Sequence, residues 1–178
     1  QDSRTSIVFT GSLYSKALTH LEALYKLLLG DKDLKQEFVF NFYGSIPKEA
    51  HYLFDNKALQ STLIFHGKVS LKEVGEKIVT SDLAMLFLTD DLNYTKSTKF
   101  YEYIHLRKKI AVFSKYGPIS QYIVNNRIGY SIEPRNIRES LLKIKKDYHK
   151  DNLNVPQDYS IEKYSIPTLL NNLTNLLN

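Results

Sequence analysis

With 178 residues, 43% of them hydrophobic and 24% charged, the chain has the size and composition of one soluble globular domain with a sizeable core. Its net charge of +5 is modest, and the absence of cysteine excludes disulfides and thiolate metal sites and fits a reduced, cytoplasmic setting. No apolar run approaches the roughly 20 residues that cross a bilayer, and no signal-peptide pattern opens the chain.

The chain starts at Gln1 and reaches its first strand-like run almost at once, as a domain cut from a longer protein would. That run, Ile7–Thr10, ends at Gly11. A helical pattern follows over Ala17–Leu29, with Leu18, Leu21, Leu24 and Leu28 near helical spacing. The second run, Phe38–Tyr43, ends at Gly44, and Pro47 then marks a helix start. The third, Thr62–His66, ends at Gly67, with Ser70 as the next helix start. Leu83–Leu88 is the fourth strand, and Ser97 opens a further helix. Lys109–Phe113, a helix from Pro118, and Gly129–Ile132 complete the alternation.

Most of these runs are continuously apolar, as strands buried on both faces are. The βαβα order therefore predicts an α/β fold: a Rossmann-like, doubly wound parallel sheet of about six strands with helices on both faces. Residues 1–150 form that unit. A late helix follows the last strand, with Leu141, Leu142 and Ile144 on its core side. Lys143, Lys145, Lys146 and Lys150 read as its solvated face, so no nucleic-acid site is assigned. Asp151–Ser160 is polar and carries Pro156, a linker or surface crossing. A final amphipathic helix from Ser165-Ile166-Pro167 to residue 178, striped by Leu169, Leu170, Leu173, Leu176 and Leu177, is expected to pack on the same core.

The segment Ser97-Thr98-Lys99-Phe100-Tyr101-Glu102-Tyr103-Ile104 carries the chemistry. A helix start presents unpaired N–H groups and a positive dipole end, which suit an anion. Ser97 or Thr98 can cap it, Lys99 adds a mobile charge, and Glu102 offers acceptor oxygens. These parts can hold a phosphate beside a sugar hydroxyl. Phe100, Tyr103 and Ile104 share one stripe, and Glu102 points away from it. Tyr101 and Tyr103 read as packing residues, and His66 as a histidine at the core's edge. The five histidines (20, 51, 66, 105 and 149) show no metal-ligand spacing. Hydrolase, P-loop and dehydrogenase motifs are absent.

Read in order, Phe9-Thr10-Gly11-Ser12-Leu13, Phe42-Tyr43-Gly44, Ile64-Phe65-His66-Gly67-Lys68-Val69 and Ser81–Leu86 form a recognisable series. It continues through Ser97–Ile104, Lys109–Val112 and Asn126-Arg127-Ile128-Gly129-Tyr130. This series resembles the C-terminal, donor-binding lobe of GT-B glycosyltransferases of the retaining family 4 type, over about Ile7 to Ile144. The resemblance implies transfer of a sugar from a UDP- or GDP-linked donor to a glycan or lipid-linked acceptor, with no cofactor and no metal. It implies a partner lobe on the N-terminal side for the acceptor, and peripheral membrane association of the full-length protein. It assigns the ribose to Glu102, the diphosphate to Ser97, Thr98, Lys99, Gly11 and Ser12, and the base to Gly67, Lys68 and Val69. Lys99 and Lys16 take the catalytic, charge-stabilising role. Two positions depart from the pattern. Tyr94 stands where the family has the first glutamate of Glu-x7-Glu, leaving the sugar to Asp90, Asp91 or Asn93, and Ser12 stands where it often has arginine. The alternatives are a degenerate, non-catalytic lobe and a flavodoxin-like or receiver-type regulatory module.

Overall fold

The computed structural model describes residues 3–92, 94–150 and 153–161. In chain order the elements are β1 (Thr5–Ser12), α1 (Leu18–Gly30), α2 (Lys32–Glu37), β2 (Phe38–Ser45), α3 (His51–Phe54), β3 (Leu63–Gly67) and α4 (Leu71–Thr80). They continue with β4 (Leu83–Phe87), α5 (Thr98–His105), β5 (Ile110–Phe113), α6 (Pro118–Asn125), β6 (Gly129–Ile132) and α7 (Ile137–Tyr148). All six expected strands form, and they pair in parallel in the order β3-β2-β1-β4-β5-β6. This is the Rossmann-like doubly wound order; the flavodoxin-like alternative calls for 2-1-3-4-5.

Helix boundaries follow their caps. Ser70 and Glu73 close a capping box at the start of α4, with Glu73 Oε2 accepting from Ser70 N at 2.9 Å. Pro118 is the first residue of α6. Pro47 opens only a 3-10 turn, Lys48–Ala50, which runs into the one-turn α3. The polar α2 has a single buried residue, Leu34, and is capped by the Asp31 carboxylate accepting from Leu34 N at 3.0 Å.

Apolar side chains fill both faces of the sheet. On one, Ile7, Phe9, Phe40, Phe42 and Phe113 pack against Leu21, Leu24 and Leu28 of α1 and Leu141 and Ile144 of α7. Leu142, expected beside them, is 40% exposed, because a step of one residue turns a helix by about 100°. On the other face, Val8, Ala84, Leu86 and Val112 meet Phe100, Tyr103 and Ile104 of α5 and Ile119 and Ile123 of α6. The segment 153–161 crosses this molecule's surface as an anchored strap. Leu153, Val155 and Tyr159 are buried, and the Tyr159 hydroxyl lies 3.0 Å from that of Tyr122. The helix expected beyond Ser165 falls outside the described residues.

The sheet opens at its centre. β1 pairs with β2 over its whole length, from Thr5↔Phe38 to Ser12↔Ser45, but with β4 only at Ile7↔Leu83 and Val8↔Ala84. Beyond Val8 the two strands part, which leaves a crevice at the carboxyl edge where the strand order reverses. Tyr103, fully buried on α5, fills the base of the split. Its hydroxyl accepts from Thr10 N at 3.2 Å and lies 3.1 Å from Thr10 Oγ1. Burial pushes the phenol up to about 12, so it stays a neutral hydroxyl. Tyr103→Phe would strand a buried N–H, so urea unfolding is expected to read a loss of about 1–3 kcal/mol. An unchanged midpoint would mean that the hydroxyl carries no such bond.

Candidate functional site

The crevice brings together the ends of β1 and β4 and the start of α5. Ser97 caps α5, its hydroxyl accepting from Phe100 N at 3.3 Å. The earliest N–H groups of a helix have no intrahelical partner and remain available to an anion. Gly11, with φ +104, is the last residue but one of β1 and lies against this helix start. A Cβ placed on Gly11 would meet Lys99 Nζ at 2.2 Å and Cε at 2.6 Å, so the lysine lies directly across the glycine. Two segments 88 residues apart in sequence, Gly11 and Lys99, are thereby joined. A cavity of about 290 Å³ lies here, bounded by Ser12, Leu13, Tyr14, Thr89, Ser97, Thr98 and Lys99. The Ser12 hydroxyl accepts from Ser45 Oγ at 2.9 Å.

The remaining sequence-predicted residues lie outside this cavity. Glu102, exposed and turned from the Phe100–Tyr103–Ile104 stripe as expected, lines a separate apolar groove of about 480 Å³ between α4 and α5. Leu71, Val74, Ile78, Tyr101 and Ile161 form its walls. Gly67 ends β3 with φ +75, Lys68 is exposed, and Val69 packs partly into the second core. Beside them His66 stacks on Tyr43, ring centroids 4.3 Å apart and planes within 6°, with Nε2 2.8 Å from Asn41 Oδ1. Burial, with a smaller push from Lys77, lowers the pKa of His66.

Lys16 faces a third, polar cavity, about 460 Å³, whose lining includes His20, Thr89, Asp90, Asp91 and Lys115. Its ammonium sits 2.8 Å from Asp91 Oδ2, and Lys115 pairs with Asp90 at 2.5 Å. The Lys16 ammonium, helped by the Thr89 hydroxyl, holds the Asp91 carboxyl down at about 2. A depressed carboxyl contributes stability above its ordinary 3.8 and loses it as pH falls toward 2. Both partners are exposed, so the contribution is small. In an NMR titration Asp91 is expected to move at about pH 2 in the native chain and nearer 3.8 in Lys16→Ala; equal curves would remove the ion pair. Tyr94 is exposed, and Asn93 falls outside the described residues.

Sequence reasoning missed the Tyr103 hydroxyl, which no periodicity separates from a packing phenol, and the two ion pairs, whose members lie 75 and 25 residues apart. Among the described residues no group of three or more His, Asp or Glu side chains is placed to hold a metal ion, and no helix is long and apolar enough to cross a membrane.

Fold and crevice define a Rossmann-like α/β unit with its ligand edge at the β1/β4 switch point, and this unit matches one half of a GT-B fold. Similar solved structures are GT-B glycosyltransferases. A mutant of S. aureus TarM in complex with Fondaparinux, α-GlcNAc-glycerol and UDP matches 99% of this chain with a TM-score of 0.65 and 18% identity. The pneumococcal O-GlcNAc transferase GtfA in complex with UDP and GlcNAc matches 98% with a TM-score of 0.66 and 14% identity. A GtfA/B complex matches 99% with a TM-score of 0.63 and 12% identity. The chain spans about a third of those proteins, 36%, 35% and 36% respectively, and at these identities the likeness is one of fold. No protein-family model matches the sequence, and no curated protein matches it.

Proposed function

We propose that this chain is the nucleotide-sugar-binding lobe of a retaining, family 4-type glycosyltransferase, working in the cytoplasm beside an N-terminal acceptor lobe. The observation that carries this reading is Lys99 lying across Gly11 at the capped start of α5, inside the switch-point crevice. The TarM and GtfA structures that share the fold hold UDP, which supports the same ligand class here.

In this reading the diphosphate of a UDP- or GDP-linked sugar lies over Gly11 and Ser12, against Ser97, Thr98 and Lys99. Glu102 accepts from the ribose hydroxyls at the upper rim of the α4–α5 groove. Gly67, Lys68 and Val69 border the base. As the sugar–phosphate bond breaks, negative charge grows on the departing diphosphate. The Lys99 ammonium and the first N–H groups of α5 stabilise it without reorganising. Lys16 adds a second cation once Asp91 releases it, and an exposed ion pair yields readily. The acceptor, a glycan or lipid-linked sugar, belongs to the other lobe, as does any peripheral membrane contact. The isolated chain binds nucleotide and does not turn over.

Calorimetric titration with UDP, GDP, ADP and dTDP tests the reading. One diphosphate is expected to bind selectively, and Glu102→Ala to weaken it by about 1.5–3 kcal/mol, tenfold or more. Absence of binding to all four would sink the donor-lobe assignment. Tyr94 and Ser12, where the family pattern has glutamate and arginine, would then favour a degenerate lobe.

A further inference from the structure

The apolar groove between α4 and α5 takes part in nucleotide binding, as proposed, only through Glu102 at its rim. Its walls are otherwise hydrophobic: Val74 and Ile78 on α4, Tyr101, Ile104 and Leu106 on the α5 side, and Leu71 at the start of α4. Leu71 is 90% exposed, the most exposed large apolar side chain among the described residues, and Tyr101 is exposed as well. An apolar surface of this kind, open to water, marks a place where another apolar element binds.

The chain itself leads into the groove. Arg107, just past α5, donates to the carbonyls of Pro156 and Tyr159, and the Tyr122 and Tyr159 hydroxyls lie 3.0 Å apart. These bonds carry the strap past the C-terminal end of α5. Its last described residue, the half-buried Ile161, is itself a wall of the groove. The sequence beyond, residues 162–178, has matching chemistry. Leu169, Leu170, Leu173, Leu176 and Leu177 fall on one side of a helix, and no side chain from Tyr164 to Asn178 is charged. A helix over residues 167–178 would be about 18 Å long and marginal alone in water, so it needs a surface that buries its stripe. With 10 residues, α4 is about 15 Å long and offers a surface of similar length. The link of residues 162–166 is short, so the groove meets the stripe at an effective concentration on the order of millimolar.

We infer that residues 167–178 dock as a helix in the α4–α5 groove of the same molecule, with the leucine stripe against Leu71, Val74 and Ile78. Asn172 and Thr174, which flank the stripe, then meet the groove's polar margin at Glu102 and His105. The docked helix lies apart from the Gly11–Lys99 crevice and needs no nucleotide.

The chain has no cysteine, so Asn175→Cys, on the polar side of the proposed helix, takes a single nitroxide in the full chain. In NMR the amide signals of Val74, Gly75, Ile78 and Tyr101 are expected to lose most of their intensity. Those of Leu21 and Leu24 on α1, across the sheet, should keep theirs. Two variants undo the docking from either side without touching the core. Leu173→Asp puts a charge in the stripe. Leu71→Asp puts one in the groove, at an exposed helix start that favours an acid, so the lobe itself stays folded. Each should restore the lost signals. A mixture of isotope-labelled chain without nitroxide and unlabelled chain carrying it reads contacts between molecules. Equally strong loss of groove signals in that mixture would mean that the groove receives the segment of a second copy, and would overturn docking within one molecule. Undiminished groove signals in the nitroxide-bearing chain, or a loss that survives both variants, would overturn the inference as well. None of these readouts involves a nucleotide, so the donor-lobe reading stands or falls separately.

Discussion

Gly44→Ala is expected to destabilise the chain by about 3 kcal/mol, more than the same change at Gly11. Both glycines have positive φ, +128 and +104, so an alanine at either is strained by about 1–3 kcal/mol. What a new Cβ meets separates them. At Gly11 it meets the far end of Lys99, a flexible side chain that swings away at little cost. At Gly44 it would lie 2.1 Å from the Gly11 carbonyl oxygen and 2.7 Å from its carbon. That obstacle is backbone, held by the Gly11↔Gly44 register of β1 and β2, and relieving it adds about 1–3 kcal/mol of overpacking. Urea unfolding of the two variants reads the difference as a shift in midpoint at constant slope. Ligand binding should rank them the other way. Gly11→Ala displaces Lys99 from the crevice and loses diphosphate affinity even where the fold survives. Equal stability losses would mean that β1 and β2 do not approach as closely as this register requires.

That close approach also marks where the sequence stopped being legible. The strands could be read because buried parallel strands are continuous apolar runs: Ile7–Thr10 and Phe38–Tyr43 lie inside β1 and β2, and Leu83–Leu88 overruns β4 by one residue. Capping chemistry likewise located Ser70 and Ser97, since a cap is a local bond between residues three apart, and Pro118 marked the first residue of α6 through its preset φ. The three glycines at the strand ends were legible as positions of special backbone, and all three have positive φ. Yet β1 and β2 stay paired through Gly11 and Gly44 to the next residue, and only Gly67 ends its strand. Their meaning was not legible: that Gly11 opposes Gly44 depends on register, and that Lys99 covers Gly11 depends on two elements meeting. Asp91 and Lys16 lie 75 residues apart and look like ordinary surface charges until the sheet edge brings them together. The resemblance supplied roles for Ser97, Thr98, Lys99 and Glu102. It did not foretell that Glu102 borders an apolar groove while Lys99 borders the crevice.

That division of the two residues gives the second large effect. Lys99 and Glu102 are three apart on α5, with Cβ atoms about 5–6 Å from each other in a regular helix. A nucleotide laid over the helix start would therefore present its diphosphate to one and its ribose to the other. Each contact involves a charged partner, so each single variant, Lys99→Ala or Glu102→Ala, should cost about 1.5–3 kcal/mol in affinity for the preferred diphosphate. The two side chains are near enough on one helix to couple, so the double variant should lose more than either single and at most their sum, about 3–6 kcal/mol, enough to erase binding of ordinary strength. The free nucleoside separates the roles. Lacking phosphates, it should bind Lys99→Ala as well as the native chain, yet bind Glu102→Ala about tenfold more weakly. Raising salt should weaken the diphosphate more than the nucleoside in the native chain, and abolish much of that difference in Lys99→Ala, because only the phosphate contact is a charge pair. A double variant no weaker than the worse single, together with a nucleoside that responds to Lys99, would place both side chains on the same group and move the ribose away from Glu102.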